Sequence, residues 1–210
     1  NVQGGDLTIK SGIFNGKIAA SAGGTSKLTI EGGTFTGAVN LGAVSASLSG
    51  GSFTSIWCPN SFLALLADGY AFYDEAGNLV NAARKGYLNN VKVQEHTHSF
   101  TDGACGCGYT CPHTSVDADG KCTVCGMHMA ASVTVGEDVT YYDTLGNALN
   151  KAKAGGTLKL LADVTETTVM INDPFIFDLN GHNVDQGLST DAKATIKDSG
   201  TTKGRIGMVT

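Results

Sequence analysis

A chain of 210 residues with 41% hydrophobic content is long enough for one sizeable domain or two small ones, and too apolar to remain disordered. Its net charge of -5 comes from only 16% charged residues, with Arg84 and Arg205 the only arginines, so no basic face is present to neutralise a phosphate backbone and nucleic acid is disfavoured as a partner. No run reaches the roughly 18 apolar residues of a membrane span. Asn1 opens no charged segment ahead of an apolar one, so the expectation is a soluble piece with no membrane contact of its own, any export signal or anchor lying outside it.

The 29 glycines against 3 prolines predict turn-rich, repetitive β-structure. The first half repeats itself: LTIKSGIF at Leu7 to Phe14, LTIEGGTF at Leu28 to Phe35 and ASLSGGSF at Ala46 to Phe53, with the phenylalanines 21 and 18 residues apart. Within each unit apolar residues alternate (Leu7 and Ile9, Leu28 and Ile30, Ala46 and Leu48), a glycine follows, and a phenylalanine re-enters the same core. A unit of about 20 residues cannot bury its inner face alone, so successive coils must stack in parallel. The predicted fold class is therefore mainly β: a right-handed parallel β-helix, or solenoid, with short capping helices. An antiparallel meander competes, but its turns recur about every 8 to 12 residues, too short for this period.

After Phe53 the pattern changes. Asn60 is placed to N-cap a helix over Ser61 to Ala67, with Gly69 as its stop, and AFYDEAGNLV reads as a hairpin turning near Gly77. Trp57, Tyr70, Phe72 and Tyr73 would plug the end of the solenoid core, with a glycan platform as the other use for them.

His96 to Gly126 then holds five of the six cysteines and three of the five histidines. It is a doublet. His96-x-His98 followed by Cys105-x-Cys107 parallels Cys111-x-His113 followed by Cys122-x-x-Cys125, each with an Asp-Gly turn. Four N and S donors per unit meet the tetrahedral demand of structural zinc, and the CxxC knuckle makes the second set the stronger. A disulfide framework, with Cys58 pairing into this stretch, is the alternative, although it has no use for the histidines. A thioredoxin-like redox role lacks its βαβ surroundings. His128 is a spare ligand or a surface residue, and His182 a structural one. With few apolar residues of its own, the stretch needs cross-links to hold it and reads as a metal-stapled linker.

Beyond it, Leu145, Ala148, Leu149 and Ala152 lie on one face of a helix over Asp143 to Ala154, ahead of Gly155 and Gly156. The runs TLKLLADV, TTVMI and FIFDLNGHNV follow as strands. The expected organisation is thus β-helix coils with their cap over 1–92, the Cys/His linker over 93–130, and a capping helix with first coils over 131–210. The last residues, GRIGMVT, run naturally into the first, NVQGGDLTIKSGIF. The two parts would complete one β-helix, by closure in a monomer or by swapping in an oligomer. Residues 136–210 would supply the first coils on which 1–90 stack, and the roughly 45 residues between them, reaching roughly 35 Å, make closure feasible.

The GGTFTG repeats, LLADGYAFYD, CPHTSVDADGKCTVCG, and YYDTLGNALNKAKAGGTLKLLADV leading to FDLNGHNV resemble the large repetitive surface proteins of Gram-positive gut anaerobes, whose β-helix modules are of the pectate-lyase-like type. The resemblance covers nearly the whole chain. It implies a secreted protein attached to the bacterial cell wall and acting as an adhesin. Some proteins of similar build are immunoglobulin-binding superantigens, which makes host immunoglobulin, or a host glycan, the implied partner. The expected function is a non-catalytic binding or spacer module. The alternative is a polysaccharide lyase or glycoside hydrolase on the same fold, needing clustered or facing carboxylates. The repeats carry Lys10, Lys17, Lys27 and Glu31 but no recurring acidic pair on one face, and Asp173 and Asp178 are expected in turns.

Overall fold

The computed structural model describes residues 5–19, 27–42, 45–152, 155–165 and 168–208. The chain divides into two compact units, Asn1–Cys111 and Pro112–Thr210. The boundary falls inside the Cys/His stretch.

The first unit begins with β1 (Leu7–Ile9), β2 (Ile13–Phe14), β3 (Ile18–Ala19), β4 (Lys27–Ile30), β5 (Thr34–Asn40), β6 (Ser45–Leu48) and β7 (Ser52–Cys58). These wind as the predicted coils of a solenoid. β1, β4 and β6 pair in parallel, Leu7 on Leu28 on Ala46 and Ile9 on Ile30 on Leu48. On the next face β2, β5 and β7 also pair in parallel, bringing Phe14 beside Phe35 and Phe35 beside Phe53, while β3 continues along β5. Because side chains alternate along each strand, Leu28, Ile30, Phe35, Val39, Leu48, Phe53 and Ile56 all point inward and are buried. The three phenylalanine rings form a continuous stack, with centroids 4.9 Å apart at both steps and planes within 10° and 6°.

The glycines permit this spacing. A Cβ at Gly32 would run into the carbonyl oxygen of Lys10 one coil earlier, and one at Gly50 into that of Glu31. Only a residue without a side chain lets successive turns approach at strand spacing there.

The cap differs in detail from its sequence-based expectation. Its helix is a single 3-10 turn, Phe62–Leu65, and its N-cap is Ser61 rather than Asn60: the Ser61 side chain accepts from the Leu63 N–H. Leu66 is already extended, and it enters a parallel bridge with Leu48 that continues the coil stack, so the helix has no room to lengthen. Then come β8 (Tyr70–Asp74), β9 (Leu79–Val80) and β10 (Gly86–Glu95). β8 and β9 form the predicted hairpin, with Gly77 at φ +81 in its turn. β10 pairs antiparallel with both β7 and β8, covering the edge of the last coil. Of the four aromatics expected to plug the core, Phe72 does so, edge-on to Phe62 at 5.8 Å. Trp57 does not. Strand alternation sends its neighbours Ile56 and Cys58 inward and Trp57 to the outer face, 6.5 Å from Tyr87. Two short strands, β11 (Phe100–Thr101) and β12 (Ala104–Cys105), end this unit as an antiparallel pair.

The second unit opens with a hairpin, β13 (Ala131–Val135) and β14 (Asp138–Tyr142), turning through Gly136 at φ +64. The helix α1 (Leu145–Lys151) is shorter than the periodicity predicts. Thr144 caps its start by accepting from the Asn147 N–H, and the chain is extended again at Ala152; positions 153 and 154 lie outside the described residues. Coils follow: β15 (Thr157–Leu160), β16 (Val169–Ile171), β17 (Ile176–Asp178), β18 (Leu188–Thr190) and β19 (Thr195–Lys197). β15, β17 and β19 stack in parallel, as do β16 and β18, and single bridges align Val164 with Val184 and Val184 with Ile206. β13 lies antiparallel on β15, closing the start of the stack. Leu158, Leu160, Val169, Ile171, Phe177, Val184 and Leu188 form its core.

Asp178 is not in a turn. It ends β17 as a buried carboxylate, where Oδ1 accepts from the backbone of Asn180 and Ser199 and Oδ2 lies 3.4 Å from Lys197 Nζ. The predicted join of GRIGMVT to NVQGG involves positions 209–210 and 1–4, which lie outside the described residues. Among the described residues no helix is long and apolar enough to cross a membrane.

Candidate metal centres

The structure brings together both predicted ligand sets. His96, His98, Cys105 and Cys107 offer donor atoms all within 4.8 Å of one another, and so do Cys111, His113, Cys122 and Cys125. His128 belongs to neither; it forms a short bridge with Lys121. None of the six cysteines is joined in a disulfide, and Cys58 is buried in the core of the first unit, so the alternative of a disulfide framework is not what the structure holds.

The first set is built on the cap. β10 ends at Glu95, and the His96 N–H donates to the Gly69 carbonyl, which aims His96 along the end of β8. The β11–β12 pair then returns Cys105 and Cys107 to the same place, where both thiols pack with Ala71. His96 Nε2 lies 3.2 Å from Cys105 Sγ, and His98 Nδ1 lies 3.4 Å from Cys107 Sγ. The His98 ring is fixed by stacking on Tyr109, with centroids 4.5 Å apart and planes within 16°.

The second set is shaped by turns. Asp117 Oδ1 accepts from the backbone of Asp119 and Lys121, bending the chain back so that Thr123 N–H reaches the Ser115 carbonyl. The Cys122 carbonyl accepts from Gly126 N–H, closing the CxxC knuckle. His113, at φ +46, presents Nδ1 at 3.5 Å from Cys125 Sγ.

These separations suit a small tetrahedral cation. Bonds of about 2.0–2.1 Å to nitrogen and about 2.3 Å to sulfur at tetrahedral angles put N and S about 3.6 Å apart, close to the 3.2, 3.4 and 3.5 Å found here. Burial first, and the charge of His98 second, hold His96 below the usual imidazole value, keeping it a neutral donor. Burial, against a hydrogen bond from the Tyr109 backbone and with Cys105 beside it, pushes the Cys107 thiol up. A bound divalent cation reverses that second effect, because it stabilises the thiolate.

The first unit also carries a groove of about 290 Å³, whose lining includes Thr34, Ser52, Thr54, Asp74, Asn90 and Lys92. Asn90 sits at φ +52, a left-handed conformation that costs a residue with a Cβ and that clusters at binding sites. Asp74 is held below the usual carboxylate range, chiefly by the Asn78 side chain and then by the Asn78 backbone N–H, so it stays ionised. The signal for this groove in the sequence is weak: Thr34 and Ser52 hold equivalent places in the GGTF and GGSF repeats, but nothing local shows that Asn90 and Lys92 come beside them.

No protein family, curated protein or solved structure matches the chain. What the fold and sites define is a class: a β-solenoid with two four-donor Cys/His groups able to hold metal ions.

Proposed function

We propose that this chain is a non-catalytic binding module of a secreted, cell-wall-attached bacterial surface protein, with structural zinc in both Cys/His sets. The observation that carries the reading is the groove on the stacked coils, whose lining offers hydroxyls, the Asn90 amide, the Asp74 and Glu75 carboxylates and the Lys92 ammonium beside the apolar Phe53 and Val91. Such a surface suits a host glycan, whose hydroxyls need both donors and acceptors. Each Cys/His set supplies four protein donors and so leaves no open position for a reacting ligand, which favours a structural ion over a catalytic one. Zinc is favoured by the mixed N and S donors. The surface location rests on the resemblance of the repeats and the CPHTSVDADGKCTVCG stretch to surface proteins of gut anaerobes.

The test is binding of the purified chain to mucin glycans and to immunoglobulin, with Asn90→Ala and Lys92→Ala as groove variants. Glycan binding that weakens in both variants supports the reading. Immunoglobulin binding without glycan binding would make the partner a protein. Failure of both at high concentration would leave a passive spacer, and turnover of polygalacturonate or mucin would make the chain a lyase or glycosidase. Native mass spectrometry of the unreduced chain tests the metal: two zinc-sized increments lost on denaturation are expected, and the same spectrum separates a monomer from a swapped dimer.

A further inference from the structure

The first Cys/His set has an outer contact that bears on how it captures metal. The Tyr73 hydroxyl, on β8 of the cap, lies 2.9 Å from His96 Nδ1, while the opposite ring nitrogen, Nε2, faces Cys105 Sγ. A neutral imidazole carries one N–H, and only the bare nitrogen can ligate a cation. We propose that Tyr73 is a positioning residue for this metal site: its oxygen accepts the His96 Nδ1 proton, which holds Nε2 bare and turned toward Cys105, so that metal capture is built into the cap of the first unit. The inference rests on the metal reading above.

Further contacts tie the same site to the cap. The His96 N–H bonds the Gly69 carbonyl and the Ala82 N–H bonds the Cys107 carbonyl, both at 2.7 Å. Gly108 lies against Asn81 and Ala83 so closely that a Cβ would meet the Ala83 backbone at 2.8 Å. Ala71, Tyr73 and Leu79 of the β8–β9 hairpin pack on the two thiols. A cation drawing His96, Cys105 and Cys107 together therefore pulls on both strands of the hairpin. Occupancy and cap order are coupled, and each strengthens the other. The ring of Tyr73, edge-on to His96 at 6.1 Å and 67°, would remain in a phenylalanine variant, so hydroxyl and packing can be separated.

The experiment titrates the full chain with cobalt(II), whose visible absorption reports tetrahedral thiolate coordination, against a competing chelator. A Cys122→Ser background removes a ligand of the second set and leaves the first to be read alone. Adding Tyr73→Phe to it is expected to weaken cobalt binding by about 10- to 100-fold, the usual effect of losing an outer partner of a ligating histidine. In the zinc-loaded protein the His96 Nδ1 proton should be visible by NMR and slow to exchange, and it should exchange freely in the variant. Metal removal should speed amide exchange in β8 more than in β4. Unchanged affinity together with unchanged proton exchange in a folded variant, judged by Trp57 fluorescence, would overturn the role of Tyr73 while leaving the metal site standing. Absence of any cobalt spectrum in Cys122→Ser, with two ions also absent from the unmutated chain, would instead remove the metal reading and this inference with it.

Discussion

The phenylalanine stack makes a graded prediction. Phe35 is fully buried between Phe14 and Phe53, so it takes part in two ring pairs, whereas Phe14 lies half-buried at the first coil and takes part in one. Offset ring pairs contribute about 0.5–1.5 kcal/mol each beyond the area they bury. Replacing a ring by leucine keeps most of the apolar volume and removes the pairs. Phe35→Leu should therefore cost about 1–3 kcal/mol and Phe14→Leu about half of that. Phe35→Ala, which also opens a cavity, should cost about 3–5 kcal/mol. Trp57 is the only tryptophan and lies on β7 of this unit, so guanidinium unfolding followed by its fluorescence reads the first unit directly. The midpoint should fall in the order Phe14→Leu, Phe35→Leu, Phe35→Ala, with the slope unchanged. A Phe14→Leu cost equal to that of Phe35→Leu would refute the additive stack.

Gly50→Ala should destabilise the first unit by about 1–3 kcal/mol, since its Cβ meets the Glu31 carbonyl, while Gly16→Ala, with open space around it, should be near neutral in the same fluorescence assay. Cys122→Ser should lower bound zinc from two ions to one per chain in native mass spectra, and His128→Ala, outside both sets, should leave it at two. The carboxyl of Asp178 is raised by burial, but hydrogen bonds from Ser199 and Asn180 and the Lys197 ammonium outweigh this and leave it below its ordinary value of 3.8. A folded value below the unfolded one means the stabilisation is present above about pH 4 and is lost as pH falls through the folded value. Amide exchange in β17 and β19 should accelerate across that acid window. Asp178→Asn should remove the dependence and cost about 1–3 kcal/mol above it.

The coil stack was legible in the sequence because its signal is local and repeated. LTIKSGIF, LTIEGGTF and ASLSGGSF each write the same in-out alternation, and identical units can bury that alternation only against one another. The ligand sets were legible for a related reason: donors close in sequence, separated by turn residues, have few ways to avoid one another, and the structure gathers the same eight residues. The β13–β14 hairpin is written only faintly, in the alternation of SVTVGEDVTYY around the turn glycine Gly136. Other features were decided by tertiary structure alone. Trp57 faces outward because the register of β7 commits Ile56 and Cys58 to the core, and Asp178 is buried because the next coil supplies Lys197, at the end of β19, and Ser199 just beyond it. The contact of Tyr73 with His96 spans 23 residues and depends on the antiparallel pairing of β8 with β10. Short-range periodicity determines which faces are apolar and which loops can chelate. Which side chain meets which across the coils depends on strand register, a property of paired backbones that no single strand contains.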